Sequence, residues 1–127
     1  MPKRFEYSVT EQAGTPARAE PDWTPEDLLL AGLARCTLAS LEFHAERMAV
    51  RVAGKATAEG VVTKRDEDGR YAFVEVECRL EVELEPRPEG DRLRELLASA
   101  ERDCFVGASL TAKPKYEWRV NGEVVKR

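Results

Sequence analysis

Residues 24–48 read TPEDLLLAGLARCTLASLEFHAERM, and this stretch decides the fold. Thr24 can cap a helix, Pro25 suits its first position, and Asp27 sits three residues past the cap. Glu26 and Asp27 also meet the favourable end of the helix dipole. The helix should run to about Met48. Its first two-thirds is apolar or small nearly all round, and polar residues gather after Ser40. That pattern predicts a central, buried helix rather than a surface one. Ala31, Gly32, Ala34, Ala39 and Ser40 allow close approach by other backbone.

Strands are expected on both sides of this helix. Residues 4–9, RFEYSV, alternate loosely, and Gly14 and Pro16 follow. A turn there and a short second strand at Ala17–Glu20 would make a hairpin, closed by Pro21 and Asp22. Residues 50–64 carry a strand pattern, with Gly60 marking a bulge. Arg65–Gly69 is a turn, and residues 71–84 alternate well. There Val74, Val76, Cys78, Leu80, Val82 and Leu84 share one parity, while Glu75, Glu77, Arg79, Glu81 and Glu83 share the other. Phe73 breaks the alternation. A long antiparallel hairpin is the simplest interpretation.

Pro86 and Pro88 stop it. A second helix follows Gly90, with Asp91 as its cap and Leu93, Leu96, Leu97 and Ala100 as its buried face. Cys104–Leu110 reads as a short further helix. Tyr116, Trp118 and Val120 alternate as a strand, and Asn121-Gly122 turns the chain back into Glu123–Lys126. The order β(β)–α–ββ–α–α–ββ makes residues 1–127 a single α+β domain, with an antiparallel sheet packed against its helices.

Composition narrows the function. With 43% hydrophobic and 35% charged residues the chain is an ordinary soluble one. Its net charge of -4 and interspersed signs give no basic stripe, which argues against nucleic acid. No apolar stretch follows the basic start MPKRF, and the run Leu28–Ala34 is too short to span a bilayer. A cytoplasmic location and no membrane partner are therefore expected. One histidine, no CxxC and no HxxxH make a metal site a weak reading, and Walker A and GxGxxG sequences are absent.

Chemistry, if present, falls to the three cysteines, whose odd number argues against a disulfide scaffold. Cys78 sits on the apolar parity of a strand and reads as a small hydrophobe. Cys36 lies mid-helix, where an inert buried thiol is the plain reading. Cys104 opens a short helix whose exposed amides favour a thiolate, although Asp103 opposes this. Its position suits a reactive and a structural thiol equally. His44, eight residues past Cys36, lies about 12 Å along the helix and reads as a core-edge or surface histidine, not a general base.

The stretch from Thr24 to Thr37 resembles the "S/N-P-E-x-L-L-x-A-x-x-x-C" helix start of the OsmC/Ohr family, the osmotically induced and organic-hydroperoxide-resistance proteins. Residues Glu101–Leu110 are similar to its second motif, "C-P-V-S-x-x-L", with Phe105 in place of proline and Gly107 in place of serine. The resemblance covers essentially the whole chain. It implies an intertwined homodimer in which two long central helices pack back to back inside a sheet from both chains. It makes Cys36 the peroxidatic cysteine, Cys104 the resolving cysteine and Glu26 the motif glutamate. The peroxidase members also use an arginine from the N-terminal hairpin region; here that hairpin is short, and Arg18 is the choice with Arg4 as fallback.

The implied activity is a thiol peroxidase that needs no haem, flavin or metal. A hydroperoxide would oxidise Cys36 to a sulfenic acid, Cys104 would condense with it, and an external dithiol would reduce the disulfide. Leu29, Leu33, Phe43 and Phe105 are candidates for an apolar substrate pocket; plain core packing is their bland reading. A guanidinium from Arg18, held by Glu26, would stabilise the Cys36 thiolate. Ten residues along a helix span roughly 15 Å, so Glu26 cannot be expected to touch Cys36 directly. The competing expectations are an OsmC-like redox-sensing or small-molecule-binding protein, and a structural dimer without thiol chemistry.

Overall fold

The computed structural model describes every residue except Ala17 and Arg127. The order is β1 (Phe5–Gln12), α1 (Pro25–Glu46), β2 (Arg51–Lys64), β3 (Tyr71–Glu85), α2 (Gly90–Arg102), α3 (Phe105–Ser109), β4 (Lys115–Val120) and β5 (Glu123–Val125). The strands form one sheet in the order β1-β2-β3-β4-β5. The α+β class is as expected, but the sheet is mixed rather than wholly antiparallel. β3 and β4 run parallel, from Glu77↔Lys115 to Val82↔Val120. A parallel pair needs a long crossover, and α2 and α3 supply it.

The expected N-terminal hairpin does not form. Residues 18–20 belong to no strand, and Ala17 lies outside the described residues. β1 pairs instead with β2, from Phe5↔Val62 to Gln12↔Lys55. Pro16 and Pro21 flank the short segment and offer no N–H to a ladder, whereas β2 offers a long edge.

α1 starts as its sequence dictates. Thr24 Oγ1 accepts from the Asp27 N–H at 3.1 Å, and Asp27 Oδ2 accepts from the Thr24 N–H at 2.9 Å. The helix ends at Glu46, short of Met48, and Ala49 at φ 58° turns the chain into β2. Asp91 is not the cap of α2. It lies inside the first turn and pairs with Arg94 at 2.5 Å, while Glu89 stands at the cap position with no side-chain capping bond.

Leu30, Leu33, Leu38 and Leu41 of α1 are fully buried in one core with Ala56, Ala58, Val76, Leu80, Val82 and Leu84. The helix is covered on one side only. Leu28 and Phe43 are 48% and 57% exposed, so the all-round apolar character does not mean all-round burial within one chain. By length and apolarity α1 matches a bilayer-crossing helix, but half of that window is packed inside the domain.

The break at Phe73 has a physical cause. The β2–β3 register shifts between Val61 and Val62, pairing Val61 with Glu75 and Val62 with Phe73. Val74 is the extra residue of this bulge. It turns outward and is 36% exposed, contrary to its expected place on the apolar face, while Phe73 packs against the core. Gly60 makes room for that ring: a Cβ there would stand 2.4 Å from Phe73 Cε1.

Gly54, opposite Val82, has φ 124°, and a Cβ would lie 2.2 Å from the Glu81 carbonyl oxygen. Gly54→Ala is expected to destabilise the fold by about 2–4 kcal/mol, through strain in two adjacent strands. Urea unfolding measures this, and an unchanged midpoint would contradict the close approach.

Candidate functional site

The site is built where α3 meets α1. Cys36 stands mid-way along α1, and Cys104 is the N-cap residue of α3. All three cysteines are free; Cys36 is half-buried, and Cys78 and Cys104 are fully buried. The side chains of Cys36 and Cys104 lie close enough to influence each other. Burial is the main influence on the Cys36 thiol and pushes it above its ordinary pKa. The Val106 and Phe105 amides pull the other way, and a charge on Cys104 would push it further up. None of these groups is cationic.

Behind the pair lies a buried polar cluster. Thr37 Oγ1 donates to the Leu33 carbonyl at 2.9 Å and lies 3.3 Å from Cys104 Sγ. Cys78 Sγ donates to the same oxygen at 3.9 Å. The Gly107 N–H reaches Cys104 Sγ at 3.4 Å. Tyr116 stands beside this cluster, and burial first, then Cys104, pushes its phenol up. Burial lifts the Cys78 thiol to about 12, which suits its reading as an inert core residue. A Cβ on Gly107 would meet Tyr116 Oη at 2.5 Å. The tyrosine thus occupies the space that a serine side chain would need here.

A cavity of about 510 Å³ opens on Cys36, lined by Ala39, Ser40, Phe43, His44, Asp103 and Phe105 as well. Phe43 and Phe105 flank it as expected of pocket residues, and Phe105 is 79% exposed. Leu29 and Leu33 do not line it; Leu33 faces the core and is fully buried. Ala39 and Ser40 read in the sequence only as small packing residues and His44 only as a core-edge or surface histidine, although they follow Cys36 at the three-, four- and eight-residue spacings of one helix face. The Ser40 hydroxyl is buried without a hydrogen-bond partner among the described residues.

His44 forms part of the cavity wall and bonds Asp103 Oδ2 through Nε2 at 2.8 Å. Arg102 grips the same carboxylate with two bonds of 3.0 Å. Arg102 first, then His44, lowers Asp103 to about 2. Asp103 is therefore held by Arg102 and His44 rather than left beside Cys104 as an opposing charge. This trio carried no signal in the sequence, because its members come from the two ends of the core.

No arginine is among the groups that act on the Cys36 thiol. Arg18 is exposed, and Arg4 pairs with Glu6 at 3.3 Å. Glu26 accepts from Tyr7 Oη at 3.1 Å, on the sheet side of α1. The guanidinium nearest Cys36 in sequence, Arg35, holds Glu42 at 2.8 Å and the Gln12 carbonyl.

The model of the OsmC-like proteins matches residues 18–119, a span that includes both cysteine motifs. The chain belongs to the OsmC-like family. Among solved structures it is similar to an OsmC-like protein from Mycoplasma pneumoniae, at TM-score 0.59 and 17% identity, covering 94% of this chain and 96% of that one. It is also similar to the organic hydroperoxide resistance protein OhrB of Bacillus subtilis, at TM-score 0.48 and 19% identity, covering 88% and 97%. The likeness in fold rests on the first of these. No curated protein matches.

One prediction concerns the wall of the cavity in this OsmC-like chain. An unfolded aspartate titrates near about 3.9, and folded Asp103 near about 2. Asp103 therefore contributes stability above about pH 4, lost as pH falls toward 2. Asp103→Asn should remove this part of the acid limb. Urea midpoints between pH 2 and 5 test it, and parallel profiles for both proteins would contradict it.

Proposed function

We propose that this OsmC-like protein is a thiol peroxidase that reduces organic hydroperoxides, and hydrogen peroxide by the same chemistry. The observation that supports this best is the contact of Cys36 with Cys104 at the floor of an apolar-walled cavity. The Cys36 thiolate attacks the terminal peroxide oxygen, the O–O bond breaks, and the alcohol leaves. Cys104 then attacks the Cys36 sulfenic sulfur and expels water. An external dithiol returns both thiols to the reduced state. Phe43 and Phe105 offer an apolar substrate group a surface to pack on.

Burial raises the Cys36 thiol, so a cation is needed to make it a nucleophile at neutral pH. We assign this role to Arg18, with Glu26 to hold it once it exchanges Tyr7 for the guanidinium. A second copy of the chain covers the open face of α1, where Leu28 and Phe43 are exposed, giving a homodimer. Three free thiols per chain suit the reducing cytoplasm, where we place the protein.

A second reading has its own support. Arg18 is exposed, Glu26 is engaged by Tyr7, and Cys36 is raised. These features suit a redox sensor or small-molecule binder without efficient peroxidase turnover.

One equivalent of cumene hydroperoxide tests the first reading. Under the first reading the three free thiols fall to one, Cys78, and Cys36→Ser loses none. Retention of all three thiols would favour the second.

A further inference from the structure

We infer that Thr37 and Tyr116 are positioning residues for the release of Cys104 as a thiolate when the disulfide is reduced, and that the external dithiol attacks Cys36. The inference rests on the Cys36–Cys104 pair of the proposed function. It is carried by the unequal surroundings of the two sulfurs.

Cys36 lines the cavity and is half-buried, whereas Cys104 is fully buried behind it. A nucleophile entering through the cavity therefore meets the Cys36 sulfur. In the step, a reductant thiolate bonds to Cys36 Sγ, the S–S bond breaks, and its electron pair leaves on Cys104 Sγ. The second thiol of the reductant then attacks its own sulfur in the mixed disulfide. Cys36 leaves as a thiolate, and the reductant departs as a cyclic disulfide. Both protein thiolates take up the protons that the dithiol lost.

Such exchange is faster when the leaving thiolate is stabilised. Two groups lie at hydrogen-bond distance from Cys104 Sγ, Thr37 Oγ1 at 3.3 Å and the Gly107 N–H at 3.4 Å, and the Tyr116 hydroxyl stands close by across Gly107. The Thr37 hydroxyl has one proton and two acceptors within reach, the Leu33 carbonyl at 2.9 Å and Cys104 Sγ. With Cys104 as a thiol, that proton stays on Leu33 and Cys104 donates to Thr37. With Cys104 as a thiolate, the hydroxyl rotates to the sulfur. Leu33 keeps its ordinary helical N–H partner, so the rotation leaves no carbonyl bare. Tyr116 can approach the sulfur because Gly107 has no side chain: a Cβ there would stand 2.5 Å from its hydroxyl and 3.5 Å from Cys104 Sγ.

The test uses protein whose disulfide is formed with diamide, so a failure of hydroperoxide to oxidise Cys36 does not touch it. Brief reaction with 2-mercaptoethanol, acid quenching, capping of free thiols with N-ethylmaleimide in denaturant and peptide mass spectrometry locate the adduct. The expected result is mercaptoethanol on Cys36 and the cap on Cys104. Thr37→Val should slow reduction about tenfold, the size of losing one hydrogen bond to a charged group, and Tyr116→Phe should also slow it. Thr37→Ser should restore the rate. Mercaptoethanol on Cys104, unchanged rates in both variants, or no Cys36–Cys104 disulfide with diamide would each overturn the inference.

Discussion

The close seating of α1 on the sheet is the constraint on which the rest depends. β2 presents only Ala56, Ala58 and Gly60 as its fully inward positions there, so the leucines of the helix fill the space that larger strand residues would take. Gly60 also admits the Phe73 ring, which the β3 bulge turns inward. Such a core is close-packed, and a helix so held has little freedom to rotate or slide. The facing of Cys36, Thr37 and His44 is fixed by the same contacts.

A fixed helix face makes the three cysteines unequal. Cys36 looks toward the cavity, while Thr37, one residue on, looks toward the core and meets Cys104 and Cys78. The crossover that joins parallel β3 and β4 then delivers α3 to this point. Trp118 Nε1 bonds Glu101 Oε2 at 2.7 Å and ties the end of that crossover to β4. His44 and Arg102 meanwhile draw the Asp103 carboxylate away from the sulfur chemistry.

Much of this was legible in the sequence. The capping box, the parity of β3 and the Asn121-Gly122 turn each rest on local spacing, and each is present. The family likeness, also visible in the residues, is supported by the match over residues 18–119. What could not be read are contacts between distant segments. β1 chose β2 over the segment after Gly14, and strand pairing leaves no trace in local alternation. Val74 and Phe73 exchanged faces because the bulge shifts parity on β3, whereas its signal in the sequence, Gly60, lies on β2. Helical spacing from Cys36 would have found Ala39, Ser40 and His44, but not Asp103. Leu33 was misplaced because apolar character does not say whether a residue faces a cavity or the core.

The anchoring of the first strand has a further meaning. Arg35 holds the Gln12 carbonyl, and Glu42 bridges Arg35 to the Gly14 N–H at 3.1 Å. The chain leaves α1 at this clamp and returns at Pro25. Arg18 hangs four residues beyond it, on a tether of about 14 Å when extended. Glu42 and Cys36 are six residues apart, or about 9 Å along the helix. The tether is thus longer than the run along the helix from clamp to thiol. The clamp bounds how far Arg18 can lie from α1 of its own chain, and a bound of that kind acts as a raised local concentration.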